Sequence, residues 1–587
     1  MNKVFNTVWN ESTGTWVVTS ELTRKGGRRP RQIRRTILAG LISGLLMPSA
    51  PSLAAAYDNQ TLGSGGTSSS MVLSAGNTAT NTTINNGGVQ NVASGGSATS
   101  TTINDYGVQT VSSGGSATST TINSWGDQNV FGSATSTTIN FRGDQFVYSG
   151  GSATSTTINN GGVQTVSSGG SATSITINSG GYQGVDGSAT STTINSGGEQ
   201  NVFGSATSTT IAGGYQGVYD SATSTTINNG GVQNVASGGS ATSTTINSGG
   251  YQGVYGSATS TTINNGGEQN VASGGSATST TINRGGVQNV YSGGSATGTT
   301  INDEGSQIVL SGGSVTSTTI NYLGTQRVSS GGSATSITIN NGGYQSVYGS
   351  ADNTTVNGGS QTVYAGGAAS KTTLQYRGWQ FVFDGGSVIQ TTINSGGVMQ
   401  VDAGASASQV TQNRGGAVVT NTSAVLSGTN DKGAFSITGG SATNMLLEND
   451  GYLAVFGGHE ASDTTVGSNG TLDVHSGGVL RGTTTLNDKG VLVGDVVTNE
   501  GNLHFLNNTA AAFTGSLTGS GTLTQEGGNT RFSGLLSQDG GIALKNGGAM
   551  TMDALKAKAN VTTQFGTTLT LDNGSILTGN VAGDSTG

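Results

Sequence analysis

The sequence predicts an all-β chain wound as a right-handed parallel β-helix, a β-solenoid of coils about 19 residues long. Three observations predict it. A Gln standing two residues before an apolar residue, usually Val, recurs from Gln90 to Gln380 at intervals that are mostly 19 and otherwise 16 or 17, with a looser copy at Gln400. All three prolines (Pro30, Pro48, Pro51) fall in the first 56 residues, so the backbone after them keeps every donor a strand ladder needs. Charged residues are only 9% of the chain while Gly reaches 103, a composition that argues against several ordinary globular domains and that periodicity rescues from disorder.

The repeat is clearest in residues 87–104, GGVQNVASGGSATSTTIN. Copies two residues shorter lose them from the Ser-Gly-Gly turn, as at Phe131-Gly132-Ser133. A loss of two leaves the parity of both flanking strands intact, so the strands are the fixed units. In Val89-Gln90-Asn91-Val92 the Gln and the second Val hardly vary between copies, whereas position 89 becomes Asp127, Tyr182, Glu199 or Trp379 and position 91 becomes Thr110, Phe146 or Arg327. Period-two alternation places Gln and Val inside and the variable pair outside. The same parity puts Thr99, Thr101 and Ile103 on the inner face and Ser100, Thr102 and Asn104 on the outer one. Paired glycines mark corners that call for φ > 0. Each coil offers too few inward apolar groups to fold alone, so stacking is required, with Val on Val, Ile on Ile and Gln amides bonded to the next Gln. At about 4.8 Å per coil, eighteen coils rise on the order of 80 Å.

The first 56 residues differ from the rest. They hold 8 of the 21 Lys+Arg and 2 of the 29 Asp+Glu, leaving the remainder with 13 against 27, a net of −14. Basic residues Arg24 to Arg35, the apolar run Ile37 to Met47 and Ala54-Ala55-Ala56 form a secretory signal peptide cleaved after Ala56. The apolar run is too short for a permanent span. The body has no cysteine and is acidic and lightly charged, which excludes a nucleic-acid partner and suits passage through a further pore. After residue 400 the phase loosens and Leu becomes frequent. No run of alternating strands with aromatic girdles follows before Gly587, so a membrane barrel, the one expected membrane attachment, is missing from this sequence.

Little chemistry is on offer. His459, His475 and His504 lie outside the repeats without ligand spacing, and no phosphate loop or calcium repeat occurs, so neither a metal nor a cofactor is expected. Parallel β-helices also serve polysaccharide lyases and hydrolases, whose sites need clustered carboxylates on one outward strip. Here Asp127, Asp144, Glu199 and Glu268 are scattered, with Asp127 and Asp144 the only pair on adjacent coils. An ice-binding solenoid would want an outward Thr-x-Thr strip, which the inward placement of Thr99 and Thr101 denies. The expectation is a binding protein and not an enzyme.

The opening ten residues with Trp16-Val17-Val18 resemble the extended signal-peptide region of large autotransporters. Residues 519–534, GSGTLTQEGGNTRFSG, resemble their passenger-associated transport repeat. Leader, GGxQxV coils and this segment together resemble the AIDA-type self-associating autotransporter adhesins over nearly the whole chain. The resemblance implies a Gram-negative protein exported through the periplasm to the cell surface and outer membrane, mediating adhesion to host cells, auto-aggregation and biofilm formation. It implies three segments: an extended signal peptide (1–56), a regular 19-residue-repeat, glycosylated β-helix (57–400) and a less regular β-helix (401–587). Its expected partners are a cognate heptosyltransferase, a second copy of itself on a neighbouring cell and a host-cell receptor. The outward first serine of each SATS copy or near variant is the expected acceptor of O-linked heptose: Ser97, Ser116, Ser133, Ser152, Ser171, Ser188, Ser205, Ser221, Ser240, Ser257, Ser276, Ser295, Ser314 and Ser333. The second serine (Ser100, Ser119 and equivalents) is the lesser candidate.

Overall fold

The computed structural model describes residues 5–10, 15–20, 54–509 and 511–584. Two units separate, residues 1–53 and 54–587. In the first, Phe5–Asn10 pairs antiparallel with Thr15–Ser20. The basic stretch and the apolar run Ile37 to Met47 lie outside the described residues. Ala56, the expected cleavage residue, opens the strand Ala56–Asp58 of the second unit and pairs with Thr78.

The second unit is a parallel β-solenoid. One coil consists of Val89–Val92, Ser97–Thr99 and Thr102–Ile103, joined by turns at 93–96 and 104–107. Each strand pairs in parallel with its counterpart one coil on: Gln90 with Gln109, Ala98 with Ala117, Ile103 with Ile122. The Gln-bearing strands stack into one sheet, and in the regular coils the other two strands share a second; from Leu446–Leu447 onward the third strands form a sheet of their own. Short coils keep the register, since Ser133 pairs with both Ser116 and Ser152.

The core is a set of columns. Gln90, Val92, Ala98, Thr101 and Ile103 are all at most 1% exposed, and their equivalents repeat this coil after coil. One placement differs from the sequence expectation. Thr99 is exposed, and Ala98 takes the inward slot. The reason is Ser100, whose φ of +56° turns the chain between the two strands and resets the alternation, so that Thr99 and Thr101 fall on opposite faces. The Thr-x-Thr strip an ice-binding surface needs is therefore still absent here, but because the pair is split and not because both face inward.

The buried amides form a continuous ladder. Gln109 Nε2 donates to Gln90 Oε1 at 2.7 Å, Gln128 to Gln109 at 2.6 Å, and so on to Gln380, which donates to Gln361 at 2.7 Å. The buried threonine supplies a second partner: Gln109 Nε2 also donates to Thr101 Oγ1 at 3.2 Å, while Thr120 Oγ1 donates to Gln109 Oε1 at 3.3 Å. Gln400 does not belong to this row. Met399 occupies the inward slot opposite Gln380 and is fully buried, whereas Gln400 pairs outward with Phe381 and donates to Asp402. The interval that matters is 19 and not 20.

Beyond this point the inward residues become larger, with Leu472, Leu503, Phe505 and Phe532 buried. One excursion interrupts the parallel stacking: Val425–Asn430 folds back on Gly433–Thr438, which pairs antiparallel with Ser441–Thr443 before parallel pairing resumes at Glu460–Ser462.

Candidate functional site

With the inner columns devoted to packing, function falls to the outer ones. Each SATS copy begins a strand, directly after a glycine in every copy but the one at Ser221, which follows Asp220, and its first serine is tied into the ladder by its backbone, as Ser116 N–H donates to Gly96 O at 3.1 Å. Ser133, Ser205, Ser257, Ser314 and Ser333 are exposed. Ser97, Ser116, Ser152, Ser171, Ser188, Ser221, Ser240, Ser276 and Ser295 are half-buried, all with outward side chains beside the inward Ala or Val. Turn length does not sort the two groups: Ser133, Ser205 and Ser257 follow shortened turns and are exposed, but Ser188 and Ser221 also follow shortened turns and are half-buried, and Ser314 and Ser333 are exposed after full-length turns.

The second serine occupies an unusual backbone. From Ser100 to Ser336 it sits at φ between 55° and 58° in thirteen copies, and only the copy ending in Gly298 uses glycine there. This left-handed region favours Gly and Asn, so thirteen serines tolerate a conformation that a glycine adopts without strain. Ser100, Ser119, Ser136 and their equivalents up to Ser317 are exposed, more uniformly than the first serines. This corner was invisible to alternation alone.

Two further outward columns are committed to structure. The asparagine after each inward Ile forms its own ladder, Asn123 Nδ2 donating to Asn104 Oδ1 at 2.8 Å and Asn140 to Asn123 at 2.9 Å, until Ala212 interrupts it. The residue after the inward Val is often aromatic and stacks on its neighbour one coil away: Phe131 on Tyr148 at 4.4 Å, Phe203 on Tyr219 at 4.6 Å, Tyr348 on Tyr364 at 4.4 Å. The signal for this column, an aromatic following Q-x-V in successive copies, was present in the sequence.

The acidic candidates do not converge beyond one pair. Asp127 and Asp144 are directly opposed in register. Burial, with the neighbouring Asp144 charge second, pushes the Asp127 carboxyl up to about 6. Glu199 lies between Tyr182 and Tyr215, and Glu268 between Tyr251 and Val287. Of the histidines, His459 Nδ1 meets Thr422 Oγ1 at 2.8 Å and His504 Nε2 meets Glu526 at 3.0 Å. Among the described residues no three His, Asp or Glu side chains are placed to hold a metal.

Residues 139–198, 254–305, 272–324 and 427–490 match the family described as "Adhesin of bacterial autotransporter system, probable stalk", and residues 1–50 match the "Extended Signal Peptide of Type V secretion system". The autotransporter adhesin/invasin TibA of Escherichia coli O78:H11 is 71% identical over 587 residues, covering 100% of this chain and 49% of TibA. The chain belongs to the AIDA-type autotransporter family. Another relative, autotransporter adhesin AIDA-I of Escherichia coli, is 36% identical over 118 residues, 20% of this chain and 9% of that protein. A crystal structure of a TibC-catalysed, hyper-glycosylated TibA fragment is 46% identical and covers 62% of this chain and 97% of its own, with a TM-score of 0.22. The chain spans about half the length of TibA. As an AIDA-type autotransporter sequence with an extended type V signal region, it is exported through the periplasm to the bacterial surface.

Proposed function

We propose that this chain is a surface-displayed passenger through which the bacterium adheres to host cells and to other bacteria, with biofilm growth following from the second, and that it binds without catalysing a reaction. The observation that carries the reading is the 71% identity, from first residue to last, to a protein named as an adhesin/invasin. The physical support is the outer surface itself: columns of identical hydroxyls and amides along a lightly charged flank allow many weak contacts to add between neighbouring cells. The Asn column is already spent on its own ladder, so the free column to test is Thr102, Thr121, Thr138 and Thr157, which are half-buried and in register. Changing all four to Asp, with the Asn ladder left intact, should slow settling of displaying cells by roughly threefold or more, because like charges on adjacent coils repel any second copy. Unchanged settling would place the contact elsewhere.

The same reading makes the SATS serines acceptors of heptose from a cognate cytoplasmic heptosyltransferase. Such an enzyme meets the chain before export and must read a short local sequence, which Gly-Ser-Ala-Thr-Ser supplies many times over. The persistence of Ser where the backbone favours glycine supports a use for the second hydroxyl as well as the first. Peptide mapping after co-expression with the transferase should find heptose increments on SATS peptides between residues 97 and 340. Unmodified SATS peptides, or modification only beyond residue 400, would end this reading.

A further inference from the structure

We infer that a shallow recess on the outer face between residues 342 and 381 binds one neutral pyranose ring of a glycan. This deepens the adhesive reading above by naming a ligand class, and it rests on that reading for its biological setting.

The recess arises from a local shortening of the coil. From Gln345 to Gln361 the interval is 16, and the corner Asn340-Asn341-Gly342-Gly343 of one coil becomes Asn357-Gly358-Gly359 in the next. With one residue fewer, the corner is drawn inward. A Cβ on Gly359 would stand 2.6 Å from Ile339 Cγ2 and 2.5 Å from Asn340 O, so only glycine lets it sit so deep. The coil above returns to full length and carries Trp379, whose ring stacks on Phe381 (centroids 5.3 Å apart, planes 11° apart), and both rings line the notch. The result is a recess of about 350 Å³ whose lining includes Gly342, Tyr344, Gly358, Ser360, Trp379 and Phe381 and no charged side chain. The same shortening at Ala212-Gly213-Gly214 has Val232 in the place of the Trp, and so lacks the aromatic lining.

The lining chemistry selects the ligand. An aromatic face carries partial negative charge and attracts the weakly positive C–H bonds that line one side of a pyranose. Ser360, which pairs with Trp379 in register, presents a hydroxyl able both to donate and to accept. Tyr344 OH is held 3.0 Å from Tyr364 OH, which fixes that ring at the edge of the recess. A purely apolar side chain would cover these hydroxyls without pairing them, and an ion would find no counter-charge. A flat ring with one C–H face and hydroxyl edges satisfies both halves of the lining.

The test is saturation-transfer NMR on the folded chain with the methyl glycosides of galactose, glucose, mannose and N-acetylglucosamine, and with sorbitol as an open-chain control of the same polarity. One ring against a shallow platform should bind with a Kd of about 1 mM or weaker. Transfer should concentrate on the ring C–H protons of at least one glycoside and be absent for sorbitol. Trp379→Ala should weaken binding at least fivefold with an unchanged circular dichroism spectrum, and Trp379→Phe should restore most of it. Binding unaffected by Trp379→Ala, equal transfer to sorbitol, or no transfer to any of the four would overturn the site. Attachment of displaying cells is measured in parallel. Attachment without sugar binding rejects the site and leaves adhesion standing, whereas sugar binding without attachment keeps the site and rejects adhesion.

Discussion

A Glu at position 233 should destabilise the surrounding coils by about 3–5 kcal/mol at neutral pH, the cost of an uncompensated buried charge. Gln233 is fully buried in the middle of the ladder. Its Nε2 donates to Gln216 Oε1 at 2.8 Å and to Thr225 Oγ1 at 3.1 Å, while its Oε1 accepts from Gln252 at 2.7 Å and from Thr244 at 3.4 Å. A carboxylate keeps the acceptor side and turns the donor side into a second acceptor facing Gln216 Oε1. Burial raises the folded-state pKa of such a Glu above its unfolded value, so the penalty is present at neutral pH and is relieved as pH falls to about 4 and below, where the protonated acid can again donate. Met should cost less, about 1–3 kcal/mol, because it introduces no charge, but it offers the Gln252 donor only a weak sulfur acceptor and leaves Gln216 Oε1 without the donor it has now. The chain already uses Met in this column at both ends, where Gln90 Nε2 lies 3.6 Å from Met71 Sδ and Met399 stands above Gln380. Hydrogen exchange of the coils around 216–252, read at pH 7 and pH 4, measures the effect where it occurs, since each coil contacts chiefly its neighbours. Exchange no faster than in the unsubstituted chain at pH 7 would mean that the ladder does not hold the coils together.

What could be read from the sequence was whatever repeated copies expose. Gln90 and Val92 stayed constant among varying neighbours, and that contrast alone gave the inside, the outside and the amide row. Alternation failed where the backbone departed from a strand. Ser100 turns the chain at positive φ, and nothing in its chemistry announces this, so Thr99 fell on the wrong face. Gln400 misled because its motif slipped by one residue while the register did not. The hairpin at 425–438 occurs once and so offers no second copy from which to infer it. The expected serines could be placed by sequence, but their differing exposure could not, since it does not follow the length of the turn before them. The recess lined by Trp379 required two coils of unequal length to be laid one on the other. A single repeat does not contain it.

The paired glycines, which the sequence marked as one kind of corner, should separate into two under substitution. Gly274 has φ +79°, and a Cβ there would meet nothing within 4 Å, so Gly274→Ala costs only the left-handed strain of an L residue, about 1–2 kcal/mol. Gly275 has the opposite constraint. Its φ lies outside the left-handed region, but a Cβ would overlap the carbonyl oxygen of Val254 one coil below and stand 3.0 Å from Ala272 O. Neither oxygen can withdraw: Val254 O receives the Ala272 N–H at 2.9 Å, and Ala272 O receives the N–H of Gly275 itself at 2.9 Å. Gly275→Ala must therefore push two coils apart along the ladder and should cost about 3 kcal/mol or more, at the upper end of overpacking effects. The two variants differ by one position and share the same added methyl group. Faster hydrogen exchange across 254–295 in the second than in the first is the expected result. Equal exchange in both would mean that conformational strain, and not the close approach of successive coils, is what reserves the second glycine.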